Sequence, residues 1–265
     1  MKYLVVLLTA LLTLPVQAAL DWDAALDGDH RDAKNSTRDD SRHPRQTLEF
    51  FGLAEGMTVV ELSPGGGWYT EVIAPLLNDN GTYYAAHHGL NAPGAYYRNS
   101  LGKYLQKLAG NADLYGAVLV TQLQPPALVE VAPAGSADLV VGFRNVHSWM
   151  RGDILEGVLA AAYTALKPGG KLGIVQHRAK PGTSVEDMKK SGYVTEAHVI
   201  EAVEAAGFKL EASSDVNANP KDTADHPKGV WSLPPALRDD ENDRDKYMAI
   251  GESDRMTLLF TKPAS

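Results

Sequence analysis

Gly56-Met-Thr-Val-Val-Glu-Leu62-Ser63-Pro-Gly-Gly-Gly67-Trp68-Tyr-Thr-Glu-Val-Ile-Ala-Pro-Leu-Leu77 is the stretch that decides the fold of this chain. Its first third is a glycine turn feeding a short apolar run, the pattern of a buried strand. Its last third spaces apolar residues as a helix does. Between them, Ser63–Gly67 holds too many glycines for either element and reads as a loop. Asn80-Gly81 is a turn and Thr82-Tyr-Tyr-Ala-Ala86 a second strand. Strand, glycine loop, helix, turn and strand in about thirty residues make a βαβ unit, with parallel strands and a right-handed crossover.

The alternation continues outward. Thr47–Gly52 is a short helix stopped by glycine, Tyr97–Leu108 a helix, and Ala117–Leu123 and Ala137–Phe143 strands. Ile154, Leu155, Val158, Leu159, Ala162 and Leu166 form one helical face ended by Lys167-Pro-Gly-Gly170, before a strand at Lys171–Gln176. A helix over Thr195–Ala206, stopped by Gly207, and strands at Phe208–Ser213 and Met256–Thr261 complete the series. The expectation is an α/β, Rossmann-like doubly wound domain over 46–265, a seven-strand mostly parallel sheet with helices on both faces. Residues 19–45, polar and rich in both charges, read as an arm laid over the body. The insertion 214–255, about forty residues with four prolines, is too long for a turn and suits a lid, a substrate loop or a partner surface.

Composition narrows the function. The 265 residues carry 33 Asp+Glu against 25 Lys+Arg, which argues against nucleic acid as a partner. With no cysteine, disulfide staples and thiolate metal sites are excluded. Met1-Lys2, the apolar run Tyr3–Leu14, and small residues at Val16 and Ala18 fit a signal peptide cleaved after Ala18. Twelve residues rise only about 18 Å as a helix, short of the roughly 30 Å hydrocarbon core. The expectation is export to a bacterial periplasm, with no stable membrane span after cleavage.

In an open parallel sheet, ligands bind beyond the carboxyl ends of the strands, where strand order reverses. The Glu61-Leu-Ser-Pro-Gly-Gly-Gly67 loop stands at that position. Gly65, Gly66 and Gly67 let backbone approach a ligand closely, and the next helix offers free N–H groups. A P-loop would need Gly-Lys-Ser/Thr. A nicotinamide loop would need Gly-x-Gly-x-x-Gly with an acid ending the second strand. Here the acid, Glu61, precedes the glycines. That order, with Asp138-Leu-Val-Val and Leu166-Lys-Pro-Gly-Gly-Lys-Leu-Gly-Ile-Val175, resembles the class I S-adenosylmethionine-dependent methyltransferases across Leu48–Lys262. More narrowly, Arg42-His-Pro, Phe50-Phe-Gly-Leu, Glu61–Glu71, Phe143-Arg-Asn-Val-His147 and Glu252-Ser-Asp-Arg-Met-Thr-Leu258 resemble a family of exported, predicted methyltransferases. The resemblance implies S-adenosylmethionine as cofactor, held by Glu61, Ser63, Gly65, Gly66, Gly67, Tyr69, His87 and Asn145. Two departures stand out: Ser63 takes the place of the superfamily's first glycine, and the second strand ends Ala85-Ala-His87-His88 without the carboxylate that holds the ribose.

Methyl transfer asks the protein mainly to align an acceptor, and to supply a base only if that acceptor is protonated. His147 is the general-base candidate because an ordinary imidazole titrates near pH 6.5; a histidine that only fixes its loop fits as well. Asn145 can hold an amine-type acceptor or the cofactor. Trp68 and Tyr69 can face a sulfonium or pack in the core. His177 ends the fifth strand on the same rim, and Asn219-Pro220 and Trp231–Pro235 can close over a substrate. No zinc-ligand spacing is present, so no metal is expected. The acceptor is an unknown small molecule or envelope component. Two alternatives remain: a binding protein that keeps the fold without the chemistry, and a nicotinamide oxidoreductase disfavoured by the glycine spacing.

Overall fold

Val60 and Leu62 point to one face of the sheet and Val59 to the other, the two-residue period of a strand buried on both sides. They belong to β1 (Thr58–Leu62), which lies near the middle of a seven-stranded sheet. The computed structural model describes residues 20–78, 80–239 and 243–264, so the signal-peptide reading of residues 1–18 lies outside the described residues. β2 (Thr82–His87), β3 (Leu119–Gln122), β4 (Ala137–Phe143), β5 (Leu166–His177), β6 (Lys209–Ser214) and β7 (Arg255–Thr261) complete the sheet in the order β3-β2-β1-β4-β5-β7-β6. The pairs from β3 to β5 are parallel, and β7 runs antiparallel between β5 and β6. This is the doubly wound, Rossmann-like sheet that the sequence predicts.

Helices cover both faces. One face carries α1 (Trp22–Asp27), α2 (Ala33–Ser36), α3 (Asp39–Arg42), α4 (Pro44–Phe50), α5 (Thr70–Leu77), α6 (Ala95–Ala109) and α7 (Ala112–Tyr115). Its core joins Trp22, Leu48, Phe51, Ile73 and Tyr104 to Val59 and Leu139. The other face carries α8 (Val146–Arg151), α9 (Leu155–Ala165), α10 (Val185–Ser191) and α11 (Glu196–Ala205), with Trp149, Val158, Leu159, Val199 and Val203 against Val60, Val140 and Ile174. One boundary differs from the sequence pattern. Leu166 leaves the helix and pairs with Ala137, and a register shift precedes the pairing of Lys171 with Leu139. The residues expected to end the helix therefore lead into the strand, while Lys262 Nζ holds the carbonyls of Tyr163 and Leu166 at 2.7 Å.

The segment before Pro44 is helical and anchored by charge as well as by Trp22 and Ala25. Arg31, itself buried, bonds both Asp39 and the fully buried Glu71 of α5, which also pairs with Lys107. Trp68 packs against this segment, its ring 5.3 Å from the guanidinium of Arg31 and 4.6 Å from that of Arg42. The 214–255 connection folds back on the rim. Asn217 Nδ2 bonds Thr47 and Thr257, and the connection carries a short 3-10 turn at Gly229–Ser232 and α12 (Arg244–Ile250). Among the described residues, no helix is long and apolar enough to cross a membrane.

Candidate functional site

Strand order reverses between β1 and β4, so the loops following these two strands border the crevice where doubly wound sheets bind ligands. After β1 the backbone enters the left-handed region at Ser63 (φ 55°), Gly65 (φ 60°) and Gly67 (φ 77°). Gly67 is closed in: an added Cβ would lie 3.0 Å from Tyr104 and Lys107. Gly65 and Gly66 face outward: beyond their chain neighbours, no described residue has an atom within 4 Å of where a Cβ would stand. Their N–H groups donate to no described residue. The loop is therefore an open cradle of backbone donors, the geometry in which glycines matter for a ligand.

Ser63 sits in a conformation that ordinarily favours glycine and is fixed from three sides. Its N–H donates to Ala86 O at 2.8 Å, its carbonyl accepts from Asn145 Nδ2 at 2.9 Å, and its hydroxyl accepts from Trp149 Nε1 at 3.2 Å. Asn145 thus ties the end of β4 to the loop after β1. Glu61 lies beneath the loop, fully enclosed and hydrogen-bonded by Tyr83 and, more weakly, Thr70 at 3.4 Å. Burial raises its carboxyl to about 7, against the lowering effect of those bonds. His87 ends β2 under the same loop. Its Nδ1 accepts the N–H of His88 at 2.8 Å, so the neutral ring carries its proton on Nε2 and donates it to Gly65 O at 3.0 Å. Both ring nitrogens are committed to backbone, and burial lowers the pKa. Tyr69 stacks on Phe143 with ring centroids 3.4 Å apart, its phenol pushed by burial to about 12. It packs as a core ring.

Across the crevice, His147 opens α8 and is 7% exposed. Gln176 Nε2 lies 3.3 Å from its Nδ1 and 2.9 Å from Gly192 O. An amide that donates to both leaves Nδ1 as acceptor and puts the imidazole proton on Nε2. Burial, then Arg151, lowers the His147 pKa to about 4, so the ring is neutral near pH 7. His177 is 5.6 Å away, ring to ring, and its Nδ1 meets Ser253 Oγ at 2.5 Å. Burial holds it far below the ordinary imidazole range. Trp231, from the 214–255 connection, stands edge-on to His147 at 5.7 Å. Asn219 instead holds that connection's own backbone, donating to Ile250 O and Glu252 O. In the N-terminal segment, His30 bonds Glu71 O at 2.8 Å, and among the described residues no three His, Asp or Glu side chains converge as a metal site.

The structure thus gathers Ser63, the three glycines, His87 and Asn145 around one loop. It brings His147 to His177 and Trp231, and turns Glu61 and Tyr69 inward. Sequence reasoning missed Arg144, directly after β4, whose φ of 62° turns the chain at the rim. The available signal was a charged residue following the apolar run Leu139–Phe143.

No protein-family profile matches the chain, and no curated protein matches its sequence. Solved structures do share its fold. A SAM-dependent methyltransferase from Aquifex aeolicus superposes with a TM-score of 0.57 at 17% identity, covering 85% of this chain and 93% of that one. The 4+2 cyclase SpnF gives 0.59 at 15% identity, covering 94% and 88%. A possible exported protein from Bordetella parapertussis gives 0.50 at 16% identity, covering 86% and 68%. The fold is the Rossmann-like class I fold of these proteins.

Proposed function

We propose that this chain is an exported methyltransferase that uses S-adenosylmethionine, acting in a bacterial periplasm on a small molecule or envelope component. The observation that carries the reading is the outward backbone cradle of Gly65 and Gly66 at the β1–β4 switch point. When bound, the cofactor supplies an electrophilic methyl group on sulfur. Gly65 and Gly66 bind it through backbone N–H groups, and Ser63, Asn145 and Trp149 hold that loop in register with β4. Neutral His147, with its proton on Nε2, orients an acceptor as a hydrogen-bond donor rather than removing a proton from it. The apolar start of the sequence supports export.

A binding protein that has kept the fold is the second reading. It is favoured by His87, which offers no carboxylate and spends both nitrogens on backbone. That SpnF is a cyclase shows that this fold is not confined to one chemistry. Calorimetric titration with S-adenosylhomocysteine separates the readings. Saturable binding, abolished by Gly65→Val, is expected; no heat at millimolar ligand overturns the transferase reading.

A further inference from the structure

Three arginines meet one carboxylate beside the glycine loop, and a fourth stands near them. Glu252 pairs with Arg38 at 2.5 Å, Arg255 at 3.0 Å and Arg42 at 3.3 Å. Arg42 and Arg255 are each 2% exposed. The fourth, Arg144, is half-buried and makes no hydrogen bond or ion pair through its guanidinium with any described residue. Burial lowers the pKa of Arg42 well below the usual guanidinium range, and after burial the nearby Arg144 contributes most. Glu252 feels the same crowd of cations: burial alone would raise its carboxyl, but Arg42 and Arg255 draw it down to about 2.

Two buried donors in the cluster, Arg38 Nη2 and Arg42 Nη1, have no hydrogen-bond partner among the described residues. Two acids near the cluster are engaged elsewhere. Asp254 pairs with Arg178, and Glu61 is closed in by Tyr83 and Thr70. Buried cations without counter-charge are costly, and buried polar groups are rarely left unbonded. A set of planar guanidinium forks with free N–H groups is the arrangement that binds carboxylate or phosphate.

The cluster's place in the fold gives the anion a role. Arg144 follows β4, Arg255 begins β7 opposite His177, and α3 brings Arg42 to the same rim. Arg42, Arg144 and Arg255 all act on the phenol of Tyr69, two residues after Gly67. We propose that Arg38, Arg42, Arg144 and Arg255 form a recognition site for an oxyanion, the carboxylate or phosphate group of a small-molecule methyl acceptor. Binding of the anion follows from the cluster alone; its assignment to the acceptor rests on the transferase reading.

Thermal unfolding of the purified chain tests both parts. Inorganic phosphate and acetate are titrated separately against sodium chloride of equal ionic strength. A saturable rise in Tm beyond the chloride control is expected with at least one of them, and which one responds distinguishes phosphate from carboxylate chemistry. Arg144→Gln, at a side chain without bonds to lose, is expected to weaken the apparent affinity at least tenfold, and Arg38→Gln to do the same. Lys103→Gln, on the exposed face of α6, is expected to leave it unchanged. No saturable rise with either probe, or unchanged affinity in both arginine variants, overturns the site. These titrations contain no S-adenosylhomocysteine, so they stand apart from the cofactor test. Repeating them with S-adenosylhomocysteine at saturation is expected to leave anion binding intact. Competition between the two overturns the acceptor assignment.

Discussion

Around the glycine loop, the carboxyl rim of the sheet presents backbone. Gly65 and Gly66 stand open, and the side chains beneath them, Glu61, Thr70, Tyr83, Tyr104 and His87, are spent on one another or on the loop. Across β4, β5 and β7, the same rim is filled by side chains. Arginines and histidines converge there under α3 and the 214–255 connection, with Glu252 as the shared counter-ion. The first half is suited to close approach by a ligand that accepts hydrogen bonds from backbone. The second selects by charge. A loop can expose donors at little cost because water satisfies them, whereas buried guanidiniums need an anion at all times.

The contrast between the two halves depends most heavily on Glu252. Glu252→Gln leaves Arg42 and Arg255 buried without their shared carboxylate, and should cost about 3–5 kcal/mol in urea unfolding. A loss below about 1 kcal/mol would place the pair among solvent-screened ion pairs and dissolve the contrast between the two halves. On the glycine side, Gly66→Ala adds a methyl group in open space without a left-handed backbone to strain. It should weaken S-adenosylhomocysteine at least tenfold, about 1.4 kcal/mol, at unchanged Tm. Equal affinity would remove Gly66 from the cradle.

The effect at Glu61 is spread over a pH window. Its folded pKa of about 7 lies above the ordinary 4.5, so the fold favours the neutral acid. The stability this confers is complete below pH 4.5 and is lost as pH rises through 7. Glu61→Gln removes the titration, so its stability relative to the parent should rise between pH 4.5 and 7, by at most about 1.4 kcal/mol for each pH unit, and level off above. A pH-independent difference would mean that Glu61 is solvated and its carboxylate open to the loop.

How legible each half was follows from chain distance. The strand, glycine loop and helix of Thr58–Leu77 are contiguous, so their spacing alone announced the fold and the cradle. The same reading could name His87 as the residue replacing a carboxylate, but its bond to Gly65 depends on how β2 lies beside β1. Residues 19–45 illustrate the opposite case. Their charges read as a polar arm laid over the body, yet Arg31 and Arg42 are buried because Glu71 and Glu252 await them 40 and 210 residues away.

Hydrophobic period and turn chemistry are local properties of the chain, so the seven strands and the longer helices among them were legible in sequence, whereas the short helices before Pro44 and along the rim were not. The sequence by itself also determined that an acid precedes three glycines at a strand end. Only the tertiary structure decided what those side chains face: Glu61 inward, Gly65 and Gly66 outward, and His147 neutral beside Gln176. It alone assembled the arginine cluster, because burial, charge and counter-charge there are set by segments that share one rim without sharing any stretch of sequence.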